Sequence, residues 1–181
     1  MDITNLPQGY IYDDSDSIRI ITPYADPNLA IKTFLNFALQ KDAMLRTMIY
    51  GCTLPVFFDA FIEAKKVGCD VKIIFDHTQA EGKAEKQQIE KLIENGFIDG
   101  QDFLIGTSPK HNIVHLKQTT IKYGDNKYIT LEGSWNYSKS ATAEMNMLTF
   151  TSSVRLAEYT FQVFSKLWQW ILENEPQYQK V

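Results

Sequence analysis

The sequence predicts an α/β protein whose mixed β-sheet is sandwiched by helices. Three observations lead there. The first half alternates short β-rich apolar runs with segments whose apolar residues recur at helical spacing, an order of β-α-β-α-β-α-β. The second half carries strands joined by Gly124-Asp125-Asn126-Lys127, strong hairpin punctuation, and closes in an amphipathic helix. At 181 residues the chain is one domain, long enough to bury roughly two thirds of its unfolded surface without a disulfide or metal staple. Joining a parallel half to an antiparallel half gives a mixed sheet.

The elements follow in order. Residues 18–22 form a strand closed by Pro23, and Asp26-Pro27 reads as an N-cap with proline at the first helical position. Leu29, Ile31, Phe34, Leu35 and Ala38 then keep helical spacing. A strand at 45–50 stops at Gly51, and a helix at 54–66 carries the stripe Phe57, Phe58, Phe61 and Ile62 before Gly68. Residues 71–75 make the third strand. A charged, solvated helix at 84–95 carries Ile89, Leu92 and Ile93 and ends at Gly96, and a short strand follows at 102–105. Strands at 114–123 and 128–131 flank the hairpin turn, another covers 145–150, and the last helix spans 154–172. The domain is therefore set at 18–173, between an N-terminal extension at 1–17 and a polar tail at 174–181.

A composition of 44% hydrophobic and 22% charged residues is that of an ordinary globular protein, which excludes a coiled coil, a collagen-like chain and a mostly disordered one. No apolar run approaches the ~18 residues of a membrane span, and Met1-Asp2-Ile3-Thr4-Asn5 lacks the basic and apolar regions of a signal peptide. Two cysteines, Cys52 and Cys69, are expected as small buried groups in a reduced, cytoplasmic protein. The net charge of −4 argues against whole-molecule attraction to a polyanion. The charges are unevenly placed, however. Residues 107–139 hold five lysines (110, 117, 122, 127 and 139) against Asp125 and Glu132, a local +3, which leaves −7 elsewhere.

The chemistry gathers in that basic stretch. On a strand, residues i and i+2 share a face, so His115-Leu116-Lys117 projects an imidazole beside an ammonium. Gly133-Ser134-Trp135-Asn136 offers a hydroxyl and an amide at the same spacing, and its glycine allows close approach of a ligand. A nucleophile or base, a fixed cation and two neutral hydrogen-bonding groups suit a phosphodiester: Lys117, Ser134 and Asn136 hold the non-bridging oxygens while His115 attacks phosphorus or moves protons. Glu144 is the candidate carboxylate to fix the tautomer of His115. Asp76-His77-Thr78, at a strand end, is a weaker candidate for lining the cleft, and His111 is read as a loop histidine. Trp168 and Trp170 are read as packing. Trp135 packs either under the hairpin or against a partner subunit.

His115-x-Lys117, a hairpin and Gly133-Ser134-x-Asn136 resemble the HxKxxxxD…GSxN signature of the phospholipase D superfamily. Met48-Ile49-Tyr50 and the run Ala64-Lys65-Lys66-x-Gly68-x-Asp70-Val71-Lys72-Ile73-Ile74-x-Asp76 resemble the framework of its small nucleases, so the likeness covers roughly 18–170. It departs at the signature aspartate, where Lys122 stands; Asp125, in the hairpin turn, is the candidate for that structural place. The resemblance implies a phospholipase D-like fold and a phosphodiesterase with catalytic His115, Lys117, Asn136 and Glu144. Ser134, Lys117 and Asn136 would bind substrate. It implies no metal or other cofactor, and a phosphohistidine intermediate that needs two histidines. One HxK motif per chain then implies a homodimer with a shared site. The first substrate class is nucleic acid, DNA or RNA, cut by an endonuclease. The alternatives are a catalytically weakened module that binds phosphate or nucleic acid, and a phospholipid-acting relative, which should show an apolar or basic surface for lipid.

Overall fold

A parallel strand covered on both faces needs apolar side chains on both, and β3 (Met44–Ile49) and β4 (Asp70–Asp76) supply them. In the computed structural model, which describes residues 11–14, 17–110 and 112–178, Leu45, Ile49, Ile73 and Phe75 enter one apolar cluster. Met48 and Ile74 enter another on the opposite face. The first cluster is filled by α1 (Asn28–Asn36) and α2 (Pro55–Lys66), the second by α6 (Val154–Asn174). The predicted sandwich of helices around a mixed sheet is thus the observed architecture.

The remaining strands are β1 (Ile11–Asp14), β2 (Ser17–Thr22), β5 (Phe103–Gly106), β6 (Lys117–Gly124), β7 (Lys127–Gly133) and β8 (Asn146–Thr151). The sheet order is β1-β2-β8-β7-β6-β3-β4-β5. Strands β3, β4 and β5 run parallel, and every other pairing is antiparallel. Three more helices complete the chain: α3 (His77–Ala80), α4 (Lys83–Glu94) and α5 (Lys139–Ala143).

Several boundaries differ from expectation for local reasons. Pro27, not Asp26, is the N-cap of α1; the Asp26 carboxylate instead accepts from the Asn28 N–H at 3.0 Å. The strand expected at 114–123 begins only at Lys117, because the β3 ladder ends with the pair Ile49–Lys117. The hairpin turn is tighter than four residues: Gly124 pairs with Lys127, leaving Asp125-Asn126 at the tip with Asn126 at φ +54°. The stretch set apart as an N-terminal extension contributes β1, which pairs with β2. In the polar tail, Glu175 is buried and its carboxylate accepts from the Thr107 N–H and hydroxyl. Helices α3 and α5, too short for a periodic signal, were not anticipated. Cys52 and Cys69 are both buried and free, and no described helix is long and apolar enough to cross a membrane.

Strand β7 ends against β8 with no room for a side chain. Gly133 has φ +153°, and a Cβ there would lie 2.0 Å from the Met147 carbonyl oxygen. Backbone cannot yield as a flexible side chain can, so Gly133→Ala is expected to cost about 2–4 kcal/mol. Urea unfolding checks this; a loss under about 0.5 kcal/mol, the size of an ordinary surface change, would contradict the tight crossing.

Candidate active site

In an open α/β sheet, ligands bind beyond the carboxyl ends of the parallel strands, where the topology switches. Here that edge joins the end of β3, the end of β4, the start of β6 and the end of β7, as the pairs Ile49–Lys117 and Gln118–Glu132 require. His115, Lys117, Ser134 and Asn136 sit on it. Past β3, the chain Tyr50-Gly51-Cys52 meets the segment after β7: Tyr137 N–H donates to Gly51 O at 2.9 Å, and Thr53 and Leu54 N–H donate to Tyr137 O.

Lys117 opens β6 with its side chain on the α2 side, and it is only 6% exposed. Its ammonium donates to His115 O at 2.8 Å and lies 4.9 Å from the Tyr50 ring centroid. Burial pulls this ammonium below the usual lysine range, while the Asp76 carboxylate acts in the opposite sense. His115 lies before the strand rather than on it, so strand alternation does not set its direction. It is exposed, and its ring meets Tyr50 edge-on at 4.8 Å between centroids.

Residues 134–136 leave the strand as well. Trp135 and Tyr137 both turn inward. Tyr137 stacks on Phe57 at 4.0 Å and Trp135 packs 5.6 Å from Tyr137, which answers the open question of Trp135 in favour of the core. These two anchors leave Ser134 exposed and Asn136 half-buried between them. Asn136 Oδ1 is buried without a hydrogen-bond partner, and it lies 3.8 Å from where a Gly51 Cβ would stand, as does Gln79 Oε1. Ser134 Oγ accepts from Met147 N–H at 3.0 Å, so its own proton remains to donate. Glu144 is exposed; its carboxylate accepts from Asn146 Nδ2 at 3.4 Å, and no hydrogen bond joins it to His115. The structure thus brings His115, Lys117 and Asn136 around Tyr50 and Gly51, sets Ser134 at the rim, and leaves Glu144 apart.

The basic stretch is dispersed by the fold. Lys122 pairs with Met44 at the opposite end of β3 and points over the Tyr128 ring at 5.9 Å. Five residues of strand put it about 17 Å from Lys117. Asp125 is exposed at the hairpin tip, farther still, with no ion pair among the described residues. Two spaces flank His115. One is a cleft of about 530 Å³ on the α6 side of the sheet, lined by Arg19, Gln118, Glu132, Met147 and Leu156, with Lys117 at its edge. The other is an apolar groove of about 600 Å³ lined by Ile113, Leu116, Val163, Leu167 and Trp170. His111 lies outside the described residues. Among these, no three His, Cys, Asp or Glu side chains form a group that could hold a metal ion.

Four supporting residues were missed or underweighted. Tyr50 follows directly on β3, and its place at a parallel strand's carboxyl end is the signal that marks it. Asp76 is fully buried and accepts from Thr78 N–H, Thr78 Oγ1 and, at 2.6 Å, Val114 N–H. Gln79 Nε2 donates to the Tyr50 hydroxyl at 3.0 Å. Glu85 belongs to a helix read as solvated, yet it is 2% exposed and accepts from Cys52 N–H at 2.9 Å. The signal was available: Glu85, Ile89 and Leu92 stand at i, i+4 and i+7, one stripe of α4.

The family described as "Cardiolipin synthase, PLD-like domain" matches residues 14–168, and the chain belongs to this family of the phospholipase D superfamily. Among solved structures, the fold resembles Nuc from Salmonella typhimurium, a phospholipase D family member, with a TM-score of 0.65 and 23% identity over 85% of this chain and 95% of that one. NucT from Helicobacter pylori gives 0.66 and 18% over 84% and 95%. Polyphosphate kinase from Porphyromonas gingivalis gives 0.65 and 17%, with this chain covering 26% of its length. No curated protein sequence matches the chain.

Beneath the site, burial, reinforced by Asp76, raises the Glu85 carboxyl from 4.5 to about 8, although the Cys52 N–H bond acts the other way. A raised carboxyl keeps its proton in the folded state while the unfolded chain releases it. Its contribution is therefore complete below about 4.5 and is lost as pH rises toward about 8. Urea unfolding across that window should show wild type losing stability relative to Glu85→Gln, with a slope of at most about 1.4 kcal/mol per pH unit. Parallel curves would contradict a neutral, buried Glu85.

Proposed function

We propose that the chain is a phosphodiesterase, and within that class an endonuclease acting on DNA or RNA in a site shared by two copies. The observation that carries the reading is the convergence, at one sheet edge, of an exposed imidazole, a buried ammonium and a half-buried carboxamide. Lys117 uses one of its three N–H donors on His115 O and has two left for phosphate oxygens. Asn136 and the Ser134 hydroxyl add neutral donors that stabilise charge building on the phosphorane.

In the first step an imidazole nitrogen of His115 forms a bond to phosphorus as the bond to one ester oxygen breaks. His115 of the partner subunit gives that leaving oxygen its proton. In the second step the same partner imidazole takes a proton from water, whose oxygen displaces the first histidine from phosphorus. No step draws on a metal or other cofactor. Glu144 remains a proposed orienting carboxylate, for which the shared site rather than the single chain would supply the geometry. The resemblance of the HxK…GSxN residues and of the 64–76 run to the superfamily's small nucleases supports nucleic acid as substrate. The apolar groove beside His115 favours a second reading, a phospholipid whose chains lie against Ile113 and Leu116.

The test is hydrolysis of single- and double-stranded DNA, RNA and a phosphatidylcholine emulsion, each with EDTA. Cleavage of nucleic acid that persists in EDTA and falls at least about 10³-fold in His115→Ala is expected. Lipid hydrolysis alone would select the second reading. Activity that needs metal or survives the substitution would overturn both. Sizing chromatography should give an active species of twice the 20.8 kDa chain mass; an active monomer would exclude the shared site.

A further inference from the structure

His115 stands two residues before the first ladder pair of β6, and its imidazole has no hydrogen bond to any described residue. Strand geometry does not aim it, Glu144 does not touch it, and Lys122 replaces the signature aspartate. Something else must hold a nucleophile still, because misplacement by 1 Å can cost on the order of 10²-fold in rate.

The main chain is pinned on either side of it. Val114 N–H donates to Asp76, and Leu116 O accepts from Tyr50 N–H at 2.8 Å. One residue also reaches the side chains. The Tyr50 ring meets the His115 ring at 4.8 Å with planes 60° apart, and the Lys117 ammonium lies 4.9 Å from the same ring's centroid. Both contacts have favourable electrostatics, since ring edges and cations are drawn to a π face. The ring itself is fixed at both ends. Its backbone continues β3, and its hydroxyl is tied to Gln79 on α3, the helix that Asp76 caps.

We infer that Tyr50 is the positioning residue of this site, whose ring sets the direction of the His115 imidazole and the Lys117 ammonium together. Within one chain it takes the positioning role that a carboxylate on the imidazole has in a triad. The inference rests on the phosphodiesterase reading for its kinetic consequence but not for its geometry.

The test compares Tyr50→Leu, which removes the ring, with Tyr50→Phe, which keeps it. On a hydrolysed diester, Tyr50→Leu should lower kcat about 10- to 100-fold with KM nearly unchanged, and Tyr50→Phe should recover most of the loss. Independently of activity, the His115 ring protons, assigned by their disappearance in His115→Gln, should shift in the NMR spectrum of Tyr50→Leu as the ring current is lost. They should stay near wild type in Tyr50→Phe. An unchanged kcat, unmoved His115 signals, or an equal loss in Tyr50→Phe would overturn the inference. If no diester is hydrolysed, the functional reading fails and the NMR comparison alone decides the positioning. If Tyr50→Leu does not fold, the wild-type NMR spectrum decides instead: nuclear Overhauser cross-peaks between the Tyr50 and His115 ring protons are expected from the 4.8 Å ring contact, and their absence would overturn the inference.

Discussion

A fully buried carboxylate organises the candidate active-site edge. A charge in the interior is tolerated only where hydrogen bonds replace water, and Asp76 receives three, from the Thr78 amide, the Thr78 hydroxyl and the Val114 amide. The first two start α3 and the third ties down the chain that leads into His115. Its field also acts on two titratable neighbours. It works against the burial that would discharge Lys117, and it adds to the burial that keeps Glu85 protonated. One negative charge thus favours a cation at Lys117 and a neutral acid beneath the Cys52 amide.

The other half of the site is placed by packing. Trp135 and Tyr137 bury themselves against Phe57, so the intervening Asn136 can only turn toward Gly51 and Gln79. Close contact of Gly133 with Met147 brings this segment off β7 at the right height. Hydrophobic anchors and a glycine contact therefore deliver a polar group that has no buried partner of its own. An unpartnered buried oxygen is costly in an isolated fold, and such groups gather at functional sites. The same edge lies at the junction between the parallel and antiparallel halves, where loops from both can meet.

Much of this was legible in the sequence, and the failures are physical. The apolar runs at 45–50 and 71–75 and the stripe Phe57-Phe58-Phe61-Ile62 identify the sheet and its covering helix, because burial on both faces leaves a periodic mark. The motif residues were legible as chemistry, but their directions were not. Strand alternation was applied to His115-x-Lys117 and Ser134-x-Asn136, whereas the ladders begin at Lys117 and end at Gly133. Local pattern does not reveal where a partner strand stops. The lysine count failed for a related reason, since β6 carries Lys122 to the far end of the sheet. Asp76, Tyr50 and Glu85 support the site through contacts 38, 66 and 33 residues away along the chain, which no local window contains.

The central claim is that His115 bonds to phosphorus from this constrained loop. Its most direct measurement is a rapid alkaline quench during turnover of an oligonucleotide labelled with ³²P at internal phosphates, followed by peptide mapping. The account predicts acid-labile label on the peptide that contains His115. Label absent from the chain while cleavage proceeds, or carried by another residue, would contradict it.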